Sequence, residues 1–468
     1  MKRIRIAIIS SYMTYYQNHL PPGFLDERDK WAGSLAQIFA DTGDTNYLGI
    51  VHDQVSGAAV SLKLKELQPD VIMIAPSMPG PGGFVFEAIR AHTDIPVLVW
   101  AVNHLDALPV TYNSVDHLMN STNVGACMIT NLLVRAGLGP AVVSGRWYDP
   151  AVQDRVRMKL RALGTARQIR NLRVGVIGKP LAGYDNVIVD PDLLAGLGPE
   201  LIDVSVGEFV QCFNSIKDSE IATLKKRLVA SYMVTPSDGE ELDRSCRLAL
   251  TVEHIAADRQ FDCGTFNSHM EYSNRNPEIG LVGALANSHI TSSGIPFTDT
   301  GDIITAIAMF VGKRLSGTAM YTELNTIDYS RNALLCANTG EGDFDFAAAP
   351  GDVRIFSAGD STGLRQQGYI IDLRLRDGPA TLIGFSPRAD VPGGFVLMAM
   401  RGSIDGRPDI LLQVPHHYFK PSASDVNSAF EMWASAGATH HCCLSEGDLC
   451  AEVGEIARKL GIGFEQIA

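Results

Sequence analysis

The stretch Gly294–Glu323, GIPFTDTGDIITAIAMFVGKRLSGTAMYTE, brings polar residues to both ends of one apolar segment. From Ile303 to Leu315 apolar residues recur at helical spacing. Thr298, Asp299, Thr300 and Asp302 precede that run, and Glu323 follows the glycine turn at Gly317. Carboxylates gathered at the two ends of a buried helix predict a polyol or metal site. The plainer reading has Thr300 or Asp302 capping the helix and Glu323 as a solvated acid.

Upstream, short apolar runs alternate with helical stretches. Strands are expected at Arg5–Ser10, Asn46–His52, Val71–Ala75 and Pro96–Ala101, with helices at Asp29–Thr42, Ala59–Leu67 and Phe84–His92. Such alternation implies right-handed crossovers and a parallel sheet covered on both faces. The loop Pro76–Gly83, PSMPGPGG, follows a strand end, but no G-x-G-x-x-G opens a helix, so a dinucleotide cofactor is not expected. A second α/β unit begins near residue 170 with the strand Val174–Ile177. It continues through Leu201–Val204 and helices at Val206–Ser215, Ser219–Val229 and Asp238–Asp258.

Beyond Thr326 the pattern changes to short alternating runs between turns: Ala333–Ala337, Val353–Phe356, Gly368–Leu375, Ala380–Ser386, Gly394–Arg401 and Ile410–Val414. Their spacing predicts an antiparallel barrel or sandwich, closed by helices at Ala423–Ala436 and Glu446–Leu460 and a last strand at Ile462–Ile467. The expected organisation is therefore two Rossmann-like (flavodoxin-like) α/β domains, 1–170 and 171–325, followed by an antiparallel β-barrel domain, 326–468.

With 468 residues, 46% of them hydrophobic, the chain can build substantial cores. A formal charge of −13 argues against a nucleic-acid partner, and no apolar run approaches the length of a membrane span. Eight cysteines without a C-x-x-C pair fit buried thiols in a reducing cytoplasm. In the run His440, His441, Cys442, Cys443, alternation along a strand would send neighbouring side chains to opposite faces. His440 is accordingly expected to point away from His441.

Five blocks, in order, resemble the L-arabinose and L-fucose isomerase family: PVLVWAVNHLDALPVTYNSVDHLM (96–119), VVSGRWYD (142–149), VSVGEFVQCFNSI (204–216), the 294–323 stretch, and AGATHHCCL (436–444). Thr300-Gly301-Asp302 stands where the family has Glu-Gly-Asp, and Glu323 falls at its second acid. Asn338 stands where a first histidine is expected, and His441 or its neighbour His440 matches the second. The resemblance implies an aldose–ketose isomerase acting on a small sugar or polyol derivative through divalent-cation-assisted enediol proton transfer, the cation being manganese.

On that basis Glu323 and Asp302 are the catalytic candidates, and Glu323 and His441 the metal ligands. Thr300, Asn338, His104 and His269 are candidate substrate contacts. Asp299, Asp302, Glu341 and Asp343 are the nearest carboxylates able to replace missing ligands. A cytoplasmic homotrimer or homohexamer with a pocket shared between subunits is also implied. The alternative is a homologue with a degraded metal site that has altered proton chemistry or only binds carbohydrate, since two of the four family ligands are absent.

Overall fold

The structure, a computed structural model, describes residues 3–360, 367–422 and 425–467. Two compact units divide the chain, one ending at Gln168 and the other running from Ile169.

The N-terminal unit is built on strands β1 (Arg5–Ser11), β2 (Asp44–Val51), β3 (Val71–Pro76), β4 (Val97–Asn103) and β5 (Ala141–Arg146). They form one parallel sheet in the order β2-β1-β3-β4-β5. Because side chains alternate across a strand, β1, β3 and β4 feed two separate cores. Ala7, Ile9, Ile72, Ile74, Val97 and Val99 pack with Val60, Val85 and Ile129. Ile6, Ile8, Val71, Met73, Leu98 and Trp100 pack with Leu35, Phe39, Val156 and Leu160. Central strands buried on both faces explain why those segments read as continuous apolar runs. The helix expected at Asp29–Thr42 spans Phe24–Ile38, since Phe24 and Arg28 extend its buried stripe towards the N-terminus.

In the second unit, β6 (Arg173–Ile177), β7 (Glu200–Asp203), β8 (Met233–Thr235), β9 (Cys263–Phe266) and β10 (Phe297–Thr298) precede the C-terminal strands. All but β8 form a parallel sheet ordered β10-β9-β6-β7. Then come β11 (Met320–Asp328), β12 (Ala333–Ala337), β13 (Val353–Ser357), β14 (Tyr369–Leu373), β15 (Gly378–Pro387), β16 (Phe395–Ile404), β17 (His416–Pro421), β18 (His441–Glu446) and β19 (Gly463–Ile467). Seven of these make a mixed sheet in the order β15-β18-β11-β12-β17-β16-β19. Since β15 also pairs with β16, the antiparallel pairings return to their starting strand, and β19 adds a parallel partner to β16.

Three expectations for the C-terminal region are corrected. Strands β13 and β14 leave it and join β8 in a separate three-stranded sheet. Ile410–Val414 is not a strand: it lies between Pro408 and Pro415 with Leu411 fully exposed, while the neighbouring His416–Pro421 pairs instead. The helix expected from Ala423 spans Val426–Ser435, and Ala423 itself lies outside the described residues.

The helix Ile303–Ser316 forms because its residues are apolar around almost the whole circumference, which suits a helix enclosed by other elements. It packs against β9 of the parallel sheet and against β15 and β18 of the mixed sheet. Gly312 permits the approach to β18, since a Cβ there would collide with Ser445 Oγ and lie 2.8 Å from Cys443 Sγ. The helix stops at Gly317, whose φ of +83° is left-handed. Within it, Lys313 is 3% exposed and lies 2.8 Å from Asp343, which is 0% exposed.

Candidate functional site

The site assembles where the start of that helix meets β11 and β18. Asp302 is the N-cap: its Oδ1 accepts from the Thr305 amide at 2.9 Å. That leaves Oδ2 facing β18, where His441 Nδ1 lies 2.8 Å away. The same nitrogen is 2.7 Å from the Tyr321 hydroxyl. On the other side of the ring, Nε2 lies 3.3 Å from Glu323 Oε1. Register explains the last contact, because Glu323 and His441 are direct cross-strand partners of β11 and β18.

Burial by itself would lower the basicity of His441, but the hydrogen bonds its ring donates to Asp302 and Glu323 outweigh it and carry the imidazole up to about 9. Reciprocally, the His441 hydrogen bond holds Glu323 below the usual carboxylate range.

His440 joins this group. Its ring centroid is 3.7 Å from that of His441, and its Nδ1 is 2.7 Å from Asn186 Nδ2. The expectation that it points away does not apply, because His440 sits in a bend just before β18 and strand alternation does not govern it. Glu323, His440 and His441 thus offer one carboxylate oxygen and two imidazole nitrogens, all within 4.8 Å of one another.

This donor set fits a divalent transition ion. His441 is held through Nδ1 by the Asp302 carboxylate, the arrangement that orients a ligating histidine, while the Asn186 amide lies beside Nδ1 of His440. Asn186 and Tyr184, whose ring lies 5.2 Å from His440, carried no signal in the sequence.

The remaining candidates occupy defined places. Thr300 adopts φ +62°, and its hydroxyl is 3.4 Å from that of Tyr321. Next to it, Gly301 is also left-handed, and a Cβ there would strike the backbone at Lys179 and Pro180. Asn338 has its amide committed to the backbone: Nδ2 donates to Tyr321 O and Glu341 O at 2.7 Å, and Oδ1 accepts from Gly340 N. Asp343 is held by Lys313 and the Ala319 amide.

Asp299 accepts from the backbone amides of Ser268 and Thr300 and from the Ser268 hydroxyl, and it pairs with His269 at 3.3 Å. His104 belongs to the N-terminal unit, where both its ring nitrogens lie 3.1–3.2 Å from Arg28 and its ring meets Trp31 edge-on. Burial, then the Arg28 charge, pushes His104 down to about 3, so it is neutral.

Comparison with known proteins follows the same lines. A sulfoquinovose isomerase of Alkalicoccus urumqiensis is 23% identical over 420 residues, covering 85% of this chain and 86% of the relative. One from Priestia megaterium is 22% identical over 376 residues, 78% of this chain and 79% of its own length. An L-arabinose isomerase of Salmonella arizonae is 26% identical over 227 residues, covering 47% of this chain and 45% of the relative. No family model matches the chain. These similarities support kinship with the arabinose isomerase-like sugar isomerases without singling out one member.

Proposed function

We propose that this protein is an aldose–ketose isomerase acting on a small sugar or sugar derivative with a divalent cation, manganese being the first candidate. The observation that carries the reading is the trio Glu323, His440 and His441, with Asp302 holding His441. A cation held by the trio would polarise the substrate's carbonyl and neighbouring hydroxyl oxygens. Glu323, one-third exposed and ionised, is the group able to take a proton from the carbon between them. Asp302 acts through His441 by fixing its ring and tautomer, in place of the direct catalytic part that the sequence suggested. Thr300 and Tyr321 line the same hydrogen-bonded wall, and Asn338 braces the loop behind it.

The ring of antiparallel pairings from β15 back to β16 is read as the barrel of a third domain, 326–468, following α/β domains 1–170 and 171–325. A homotrimer or homohexamer is proposed from the resemblance. A second reading, altered proton chemistry on the same scaffold, is favoured by one feature: Asn338 has its polar atoms engaged with backbone where a ligand is expected.

The test is manganese titration by electron paramagnetic resonance, followed by assay of ketose formation from sulfoquinovose and from L-arabinose. Stoichiometric binding that Glu323→Gln and His441→Ala both abolish, with ketose produced from at least one sugar, is the expected result. Binding that survives both substitutions would overturn the proposal.

A further inference from the structure

Aldose–ketose interconversion moves two hydrogens, one between carbons and one between oxygens. The oxygen step needs a group that holds a proton at neutral pH, is fixed in place and has an edge open to a ligand. Within the network around Glu323, most groups fail one of these demands. Burial pushes the Tyr321 phenol well above its usual range, so it releases its proton too reluctantly. Both ring nitrogens of His441 are already engaged. Glu341 is enclosed, its carboxylate accepting from Thr339.

His269 meets all three. Its side chain is 33% exposed, its Nε2 lies 3.3 Å from Asp299 Oδ2, and Nδ1 has no partner among the described residues. Asp299 is immobilised by the amides of Ser268 (2.9 Å) and Thr300 (2.7 Å) and by the Ser268 hydroxyl (3.0 Å). From Thr300 the chain of contacts continues to the Tyr321 hydroxyl at 3.4 Å, to His441 Nδ1 at 2.7 Å, and across that ring to Glu323 at 3.3 Å. The partly exposed imidazole and the partly exposed carboxylate therefore stand at the two ends of one continuous polar wall.

We infer that His269 is the acid–base catalyst of the oxygen proton transfer and Asp299 its positioning residue, an assignment that rests on the isomerase reading above. As Glu323 takes the C2 proton, the C2–H electron pair becomes the C1–C2 double bond. His269 Nδ1–H breaks, its electrons stay on the ring, and the proton joins O1. In the second half the neutral imidazole takes the proton from O2 while Glu323 delivers its proton to C1. One hydrogen has passed from C2 to C1 and one from O2 to O1, with no oxidant or reductant consumed.

The charges facing His269 suit this cycle. The Asp299 hydrogen bond, against the effect of burial, raises the imidazole to about 9; the charges of Asp299 and Glu341 add to it and that of Arg275 opposes it. Burial, and then the Asp299 charge, pushes Glu341 up to about 8.

The experiment uses manganese-loaded full-length protein with sulfoquinovose and L-arabinose as probes. For whichever sugar the wild type converts, His269→Gln should lower kcat by roughly 100-fold with KM changed by less than about threefold. It should also abolish the alkaline limb of the pH profile. His269→Gly should regain turnover when imidazole is added, which a merely structural histidine would not do. Asp299→Asn should shift the alkaline limb to lower pH.

An active wild type with His269→Gln equally active, or His269→Gly inactive but folded and not rescued, would overturn the inference while leaving the isomerase reading intact. A wild type that forms no ketose from either sugar would overturn both. In that case the NMR titration of the His269 Cε1 proton, in wild type against Asp299→Asn, still reports whether Asp299 holds the proton on the ring.

Discussion

Asp302→Asn separates the two tasks that one carboxylate performs. Oδ1 caps the helix through the Thr305 amide at 2.9 Å, and asparagine caps about as well as aspartate, so fold stability should hardly change. Oδ2, 2.8 Å from His441 Nδ1, is different. An amide NH2 placed there would meet the ring N–H donor to donor. The imidazole must then accept through Nδ1 and carry its proton on Nε2, the atom 3.3 Å from Glu323 and the one available to a cation. Loss of such an outer partner typically lowers metal affinity about 10–100-fold, or about 1.4–2.7 kcal/mol. Manganese titration should therefore show a dissociation constant raised by about one to two decades, alongside a nearly unchanged thermal melt. Asp302→Ala should give the same loss of affinity and add a destabilisation of about 1 kcal/mol from the missing cap. Affinity in Asp302→Asn equal to that of the wild type would refute the view that Asp302 acts through His441.

Two further outcomes follow from charges beside the site. Lys313→Met leaves Asp343 buried without its cation and should cost about 3–5 kcal/mol in urea unfolding. Lys313→Met with Asp343→Asn should recover much of that loss, and a double variant no more stable than the single would contradict the pairing. His269 is held above its ordinary value, to about 9, chiefly by Asp299, so its stabilising contribution is fully present below about pH 6.5 and disappears as pH rises through about 9. Thermal melts should accordingly show the gap between wild type and His269→Gln closing between pH 6.5 and 10. A gap that stays constant over that range would argue against the ion pair.

Much of the architecture was legible because periodicity records burial within a single element. The runs at β1, β3 and β4 are apolar on both faces since each strand feeds two cores. The helix beginning at Ile303 was readable to within a residue of its end, with Asp302 as a possible cap and Gly317 as the stop. Ile410–Val414 shows the limit of that signal: an apolar run looks the same whether it pairs or lies exposed between two prolines.

By itself the sequence determined the alternation of strands and helices, the carboxylates at the two ends of the buried helix, and the histidine pair in 436–444. Tertiary structure alone decided which of these meet. Asn186 reaches His440 across 254 residues, and Asp302 reaches His441 across 139. The second meeting depends on how closely the helix capped by Asp302 seats against β18, which Gly312 allows by presenting no side chain to Ser445 and Cys443. Local pattern carries no term for such an approach, because the free energy that selects it comes from packing between elements far apart in the chain.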